Sequence, residues 1–205
     1  KEYYKDKKFI ILRHDVDEEP FHTLRMARIE HLYNIKSTYY FRTVPSVLVP
    51  KAIKYTKLFG HEIGYHYECM DEADGDHKQA INIFKENLKR LEIIVSEEIQ
   101  TIAMHGSIFN GDLTSTSLVG ILEIILKKLR GDKIFTLHDN RDLWEKYDFQ
   151  DYGIIGEAYL SLPFDRIHYF TDTGRAWNDT KHRVKDNVSG GKEIQISNTD
   201  DLIEM

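Results

Sequence analysis

Segments with the patterns of β-strands and α-helices alternate along the first two thirds of this chain of 205 residues. Short apolar, β-branched or aromatic runs predict strands, and apolar residues three or four positions apart predict helices. The predicted strands cover 9–12, 37–41, 61–67, 101–105 and 133–137, and the helices between them cover 20–33, 50–59, 77–95 and 115–130. Three further strand candidates, 152–160, 167–170 and 193–196, follow in the less regular last third. The alternation predicts an α/β fold with a parallel sheet, either open or closed into a barrel.

The composition predicts one globular domain over residues 1–205. Hydrophobic residues make up 41% and charged residues 30% of the chain, which excludes a disordered protein. A net charge of −6 without a basic stripe gives no support for a nucleic-acid partner, and no apolar run could span a membrane. The single cysteine, Cys69, excludes an internal disulfide, so a reducing, cytoplasmic location is expected. The chain begins at Lys1 without methionine, so a leader or an N-terminal domain could precede it.

Two aspartates follow the first predicted strand. Residues 9–12 are apolar and predict a buried strand, and Arg13 marks the change to polar residues. Because side chains alternate along a strand, Asp15 and Asp17 leave the same face next to each other. A cation, a shared proton or a basic partner relieves the repulsion of such a pair. The alternative is a solvated loop or a helix cap ahead of Pro20.

Histidines and carboxylates also stand at the ends of the later predicted strands. In an open parallel sheet and in a barrel alike, the active site forms at the carboxyl ends of the strands. Asp and His together are typical of a site for zinc or another divalent transition metal, whereas calcium prefers oxygen ligands alone. The residues that reach this edge after the first strand are His66, Glu68, His105, His138 and Asp139.

These positions predict a role for each residue at the edge. We expect Asp17, His66 and His105 to bind the metal, and Asp15 to act as a general base toward water beside it. Arg13 shares the face of Asp15 and either holds it ionised or forms a surface salt bridge. His61 stands at the start of its strand, which is the wrong end for catalysis, and is therefore expected to be structural.

Three blocks of the sequence follow one another in a distinctive order. They are Leu12-Arg-His-Asp-Val-Asp-Glu-Glu-Pro20, Ser37-Thr-Tyr-Tyr-Phe41 and Gly60-His-Glu-Ile-Gly-Tyr-His66. Together they resemble the first motif, the second strand and the first histidine segment of the polysaccharide deacetylases of the NodB-homology type (carbohydrate esterase family four). Two segments resemble a divergent subgroup of this family, whose members tend to belong to surface-polysaccharide biosynthesis. They are His14-Asp-Val-Asp17 and Tyr169-Phe-Thr-Asp-Thr-Gly-Arg-Ala-Trp177.

The resemblance implies an irregular, incomplete (β/α) barrel of the NodB-homology type. It also implies a hydrolase that removes acetyl from an N- or O-acetylated sugar and uses an Asp-His-His metal site. By this resemblance, Asp15 takes the position of the base, Asp17 that of the first ligand and His66 that of the second. Asp172 and Arg175 are then candidates for substrate binding, or a loop ion pair, and Arg13 and Glu68 are further candidates for substrate binding.

The chain departs from the motifs of this family in four places. Met70 stands where the second histidine ligand is expected, so Glu68 or His105 would have to replace it. Val16 separates two aspartates that are adjacent in the family, which leaves the base and ligand roles open to exchange. The arginine-proline motif after the fourth strand is absent. The late Leu-x-x-His motif is absent too, so the chain stops short of it or His105 or His138 supplies the general acid.

Three functions are compatible with these residues. The first is a metal-dependent carbohydrate deacetylase, a hydrolase of carbon–nitrogen bonds other than peptide bonds, that works on an acetylated sugar or polysaccharide precursor beside other biosynthetic enzymes. The second is a glycan-binding relative without catalytic activity, which Met70 and the missing late histidine favour. The third is a metal-dependent hydrolase of another class, such as a phosphoesterase.

Overall fold

The computed structural model describes residues 9–106, 138–164, 166–167, 169–170 and 200. Its strands are β1 (Arg13–Val16), β2 (Thr38–Phe41), β3 (Glu62–Tyr67), β4 (Thr101–Met104) and β5 (Gly156–Glu157). Its α-helices are α1 (Pro20–Leu32), α2 (Pro50–Leu58), α3 (Cys69–Glu72) and α4 (His77–Val95), and two 3₁₀ helices cover Asn140–Glu145 and Phe149–Tyr152. None of the helices in these ranges is long and apolar enough to cross a membrane.

The five strands form one parallel sheet in which the spatial order follows the chain, β1-β2-β3-β4-β5. Sequential parallel strands joined by helices are the arrangement of a (β/α) barrel. Within the described ranges, β1 and β5 each pair with a single neighbour, so these strands do not close the barrel. The predicted α/β class and the incomplete barrel are therefore confirmed.

The two faces of the sheet differ because side chains alternate along each strand. Val16, Phe41, Tyr65 and Ile102 lie in one row across the first four strands, and all four are buried in the core beneath the helices. The adjacent row points the opposite way, where the ring of Tyr40 lies over a glycine. A Cβ on Gly64 would come within 2.3 Å of that ring. The face that carries Tyr40 and Gly64 is also the face on which the polar residues lie at the carboxyl ends of the strands.

The longest of the described helices, α4, has the predicted bounds 77–95 and packs its apolar face on the sheet. The side chain of Asp76 accepts hydrogen bonds from the backbone N–H groups of Lys78 and Gln79, which caps the helix start. Its five predicted core positions are all buried, and its charged residues lie on the exposed side. The five are Ile81, Phe84, Leu88, Leu91 and Val95.

The prediction of a buried strand at residues 9–12 is wrong. β1 begins at Arg13, and all four of these apolar side chains are exposed. The physical reason is the register: β2 begins at Thr38, which pairs with Arg13, so residues 9–12 precede the first paired position. One backbone hydrogen bond, from Thr38 N–H to the Leu12 carbonyl, continues the sheet in this direction.

The strand predicted over 152–160 is reduced to Gly156–Glu157. A 3₁₀ helix ends at Tyr152, and Gly153 adopts a positive φ of 80°, so the chain turns before it reaches the sheet. After the strand, the Glu157 carboxylate accepts from the N–H groups of Tyr159 and Leu160, which favours a turn. The described residues within 167–170 form no strand, and the predictions at 115–130, 133–137 and 193–196 lie outside the described residues.

Phe84 gives a test of this core. Its fully buried ring contacts Tyr65, Tyr67, Trp144 and Tyr152. We expect Phe84→Ala to lower the free energy of unfolding by about 3–5 kcal/mol, since the ring leaves a cavity between helix and sheet. Glu86→Ala, on the exposed side of the same helix, should change it by less than about 0.5 kcal/mol. Urea denaturation measures both, and equal losses would contradict the assigned faces.

Candidate metal centre

Asp17, His66 and His105 come together at the carboxyl edge of the sheet. Asp17 follows β1, His66 lies near the end of β3, and His105 follows β4. Asp17 Oδ1 is 3.2 Å from His66 Nε2 and 3.4 Å from His105 Nε2, and the three ligand atoms lie within 4.8 Å of one another. The Asp17 side chain is 53% exposed, so solvent reaches the cluster. This is the set that the sequence predicted as metal ligands.

The ring of His66 is oriented by the neighbouring strand. Its Nδ1 is 3.0 Å from the carbonyl oxygen of Ala103, to which it donates a hydrogen bond. With the Nδ1 proton used in this way, Nε2 of the neutral ring presents its lone pair to Asp17. Two acceptors that face each other need a proton or a cation between them. The geometry therefore suits a metal ligand.

The charges around this cluster favour ionised Asp17 and protonated His66 when no cation is present. Burial alone would lower the pKa of His66, but the carboxylates of Asp15 and Asp17 outweigh it and raise that pKa. Burial would likewise raise the pKa of Asp17, and the hydrogen bond and charge of His66 outweigh it and lower that pKa. A divalent cation competes for the same place as this proton.

His105 differs from His66 in its electrostatic surroundings. Burial, followed by the positive charges of His66 and Arg42, lowers the pKa of His105 to about 4. The ring is therefore neutral near pH 7, as a metal ligand must be. Its backbone N–H donates to the carbonyl of Tyr67, which extends the β3–β4 pairing by one residue and holds the ring at the edge.

Asp15 lies beside the cluster and is held by Arg13. Nη2 of Arg13 donates to Asp15 Oδ2 at 3.0 Å and also contacts the Tyr159 hydroxyl. The guanidinium stands 4.2 Å from the centre of the Tyr159 ring. Oδ1 of Asp15 is buried and has no hydrogen-bond partner in the described parts of the chain. Asp15 thus offers one free acceptor oxygen close to His66, whose pKa it raises.

Arg42 was not predicted from the sequence, although it directly follows β2 at the same edge. Its guanidinium binds Glu68 through two hydrogen bonds of 3.0 and 2.6 Å and donates to the Asp17 carbonyl at 3.3 Å. Glu68 is only 2% exposed, and its Oε2 lies 3.7 Å from His105 Nδ1. The strand-end rule that selected the histidines could have found Arg42 had it been applied to cations as well.

Met70 lies on the core side of the chain, away from the metal cluster. Its side chain is buried in the hydrophobic core, and its backbone N–H donates to the side chain of Asn140. The position that carries a histidine in the resembling family is thus occupied by a packing residue. His105, from the next strand, stands beside His66 with ring centres 5.2 Å apart.

Asn140, a second residue that the sequence analysis missed, connects α3 to the site. It is fully buried, and its Nδ2 donates to Asp71 Oδ2 and to the backbone carbonyl of His105, both at 3.0 Å. Its Oδ1 accepts from the N–H groups of Met70 and Asp71. No pattern in the sequence distinguishes this asparagine, since its partners are distant along the chain.

The other predicted residues lie away from the cluster. His14 leaves the opposite face of β1 and contacts Glu30 at 2.7 Å. His61 bonds to the Ala27 carbonyl, in agreement with a structural role. Two further residues that were predicted at the carboxyl edge have other partners: His138 lies 4.0 Å from Asp74, and Asp139 pairs with Arg141. The substrate candidates Asp172 and Arg175 lie outside the described residues.

Asp71 predicts a pH dependence of stability. Burial raises the pKa of its carboxyl to about 6, above the value of about 3.9 in an unfolded chain. The folded state therefore gains stability from the bound proton at low pH, and loses this stability as the pH rises through about 6. We expect the metal-free wild type to lose stability relative to Asp71→Asn between about pH 4 and pH 7.

The control for this measurement is Asp76→Asn. Hydrogen bonds from the N–H groups of Gln79 and Lys78 lower the pKa of Asp76, so this carboxylate stabilises the fold at neutral pH and loses that effect as the pH falls. The difference between Asp76→Asn and wild type should therefore stay nearly constant between about pH 4 and pH 7 and change only at lower pH. Denaturant titrations at both pH values give the comparison, and a pH-independent difference for Asp71→Asn would contradict the buried carboxyl.

Comparison with known proteins finds similarity at the level of solved structures. No known family profile matches the chain, and no curated protein matches it. A carbohydrate esterase family four (CE4) pseudoenzyme from Bacillus anthracis is 14% identical, with a TM-score of 0.43 over 74% of this chain and 43% of its own. The catalytic domain of a peptidoglycan N-acetylglucosamine deacetylase from Eubacterium rectale is 14% identical, with a TM-score of 0.39 over 60% of this chain and 56% of its own. The chain thus spans less than two thirds of these two proteins.

A third solved structure is covered more fully. The CE4 domain of a multidomain xylanase from the hindgut metagenome of Trinervitermes trinervoides is 11% identical, with a TM-score of 0.38 over 66% of this chain and 89% of its own. These values are too low to transfer an activity, so the function of this chain has to be inferred from its own site residues.

Proposed function

We propose that this protein is a metal-dependent hydrolase that removes an acetyl group from an acetylated sugar or polysaccharide precursor. The observation that carries the proposal is the convergence of Asp17, His66 and His105 within 4.8 Å. Beside them, Asp15 has one oxygen held by Arg13 and one without a partner in the described residues. One carboxylate and two imidazoles form a donor set that zinc accepts, with room for water or substrate.

The ligand residues fit a divalent ion, and zinc is the ion we propose. His66 offers Nε2 because its Nδ1 is used by Ala103, and His105 is neutral near pH 7. A bound divalent ion would polarise the acetyl carbonyl and lower the pKa of nearby water. Because burial and the positive charges of His66 and Arg42 keep His105 neutral near pH 7, a ligand role suits this residue better than that of a general acid, which has to carry a proton.

Asp15 is the proposed base. Its free Oδ1 takes a proton from the water that attacks the acetyl carbonyl carbon, while Arg13 holds Oδ2. When the carbon–nitrogen bond breaks, the same proton passes from Asp15 to the leaving nitrogen, which gives acetic acid and a free amine; near pH 7 these ionise to acetate and an ammonium group. The Arg13 guanidinium keeps the carboxylate oriented through this exchange.

The three motif blocks of the sequence support a sugar as the substrate, by their resemblance to polysaccharide deacetylases. We further propose that the protein acts in the cytoplasm, in surface-polysaccharide biosynthesis beside other enzymes of that process. The divergent subgroup that the His14–Asp17 and 169–177 segments resemble is the basis for this assignment.

The test combines metal content with turnover. Purified protein should contain one equivalent of zinc or another transition ion, and it should release acetate from acetylated sugar oligomers but no phosphate from phosphate esters. His66→Ala and Asp17→Ala should lose the metal. Asp15→Asn should keep the metal and lower kcat by about 10²- to 10⁴-fold, since it removes the base alone. His22→Ala, an exposed histidine on α1, is the control and should change neither quantity.

Each alternative gives a different result. A protein that binds no metal, even with excess ion, and retains a glycan would be a non-catalytic relative. Metal binding with release of phosphate instead of acetate would indicate a phosphoesterase. Loss of metal in Asp15→Asn would make Asp15 a ligand and contradict its role as the base.

A further inference from the structure

The ring of His105 lies between two carboxylates. Its Nε2 is 3.4 Å from Asp17 Oδ1, and its Nδ1 is 3.7 Å from Glu68 Oε2. Nδ1 is buried and has no hydrogen-bond partner among the residues that the structure describes. A neutral imidazole carries one proton, so the environment decides which nitrogen keeps it and which has a free lone pair.

Glu68 is fixed on the Nδ1 side by Arg42. Nε and Nη2 of Arg42 bind its two carboxylate oxygens at 3.0 and 2.6 Å, and the glutamate is 2% exposed. Both oxygens are therefore turned away from solvent, which is unfavourable for a substrate contact. Oε2 accepts one hydrogen bond from Arg42 and retains a lone pair toward His105, because a carboxylate oxygen accepts more than one.

We propose that Glu68 is a positioning residue that keeps the proton of His105 on Nδ1, so that Nε2 presents its lone pair to the metal position. This inference rests on the proposed function. It replaces the substrate-binding role predicted for Glu68 by an effect that acts through His105. Carboxylate partners of metal-binding histidines have this effect elsewhere, where their loss weakens metal affinity about 10- to 100-fold.

Glu68→Gln separates this role from simple packing. The amide has nearly the same volume, but one of its two terminal atoms donates hydrogen bonds instead of accepting them. An N–H group then faces either Arg42 or His105 Nδ1, and the latter contact favours a proton on Nε2. Glu157→Gln is the matched control because Glu157 is also buried, and it accepts from the backbone N–H groups of Met104, Tyr159 and Leu160.

The first experiment is a double-mutant cycle on zinc affinity, measured by competition with a chromophoric chelator. We expect Glu68→Gln to weaken zinc binding about 10- to 100-fold and Glu157→Gln to leave it unchanged. In a His105→Ala background, the further effect of Glu68→Gln should disappear, because the residue through which it acts is absent. Equal effects in both backgrounds, or no effect in the wild-type background, would overturn the inference.

The second experiment works without metal and keeps the inference distinct from the proposed function. Imidazole ¹⁵N shifts of the metal-free protein report which nitrogen of His105 carries the proton. Without metal, Asp17 competes for the proton at Nε2, so we expect a larger fraction of the Nδ1–H form in wild type and in Glu157→Gln than in Glu68→Gln. The same tautomer in all three proteins would overturn the role of Glu68. Wild type that binds no zinc but shows the expected tautomers would contradict the metal-dependent function alone.

Arg42→Lys is the second variant if Glu68→Gln does not fold. Lysine keeps the positive charge but cannot bind both oxygens of Glu68 in the planar geometry of the guanidinium. Zinc affinity should fall in this variant, and the fall should be smaller in the His105→Ala background; a part of it persists there because Arg42 also donates to the Asp17 carbonyl. An equal fall in zinc affinity in both backgrounds would overturn the inference.

Discussion

The buried ion pair of Arg42 and Glu68 is the interaction on which the arrangement of the site depends. It joins the residue after β2 to the residue after β3, and a further hydrogen bond from Arg42 reaches the Asp17 carbonyl after β1. Three strand ends are thus fixed by one guanidinium. Removal of either partner would leave a buried charge, at a cost of about 3–5 kcal/mol. The pair therefore specifies the positions of the neighbouring side chains at the edge.

The polar edge is compatible with a stable fold because the core residues and the site residues lie on opposite faces of the sheet. The row of Val16, Phe41, Tyr65 and Ile102 builds the core beneath the helices, while the opposite face carries the charged and imidazole groups of the candidate site. Met70 belongs to the core side. A histidine from the adjacent strand can then complete the proposed ligand set, because parallel strands end at the same edge.

Sequence patterns predicted those parts of the fold whose contacts lie within one short segment of the chain. The apolar face of α4 and its capping Asp76 lie in one continuous segment, and the bounds 77–95 agree with the structure. Residues 9–12 have the composition of a strand, but the register of β1 and β2 begins only at Arg13. The contacts of Asn140 link residues about 35 and 70 positions apart, so no local pattern could reveal them.

The sequence by itself determined which chemical groups reach the carboxyl edge, because strand periodicity and βα order place Asp15, Asp17, His66 and His105 there. Only the tertiary structure decided which of them meet. His14 has the same chemistry as His66, but the pleat of β1 turns it to the opposite face. The pairing register places His105 beside His66. The burial of the two rings, together with the charges of their neighbours, sets the protonation state of each. These are properties of distances between strands, which no single stretch of sequence contains.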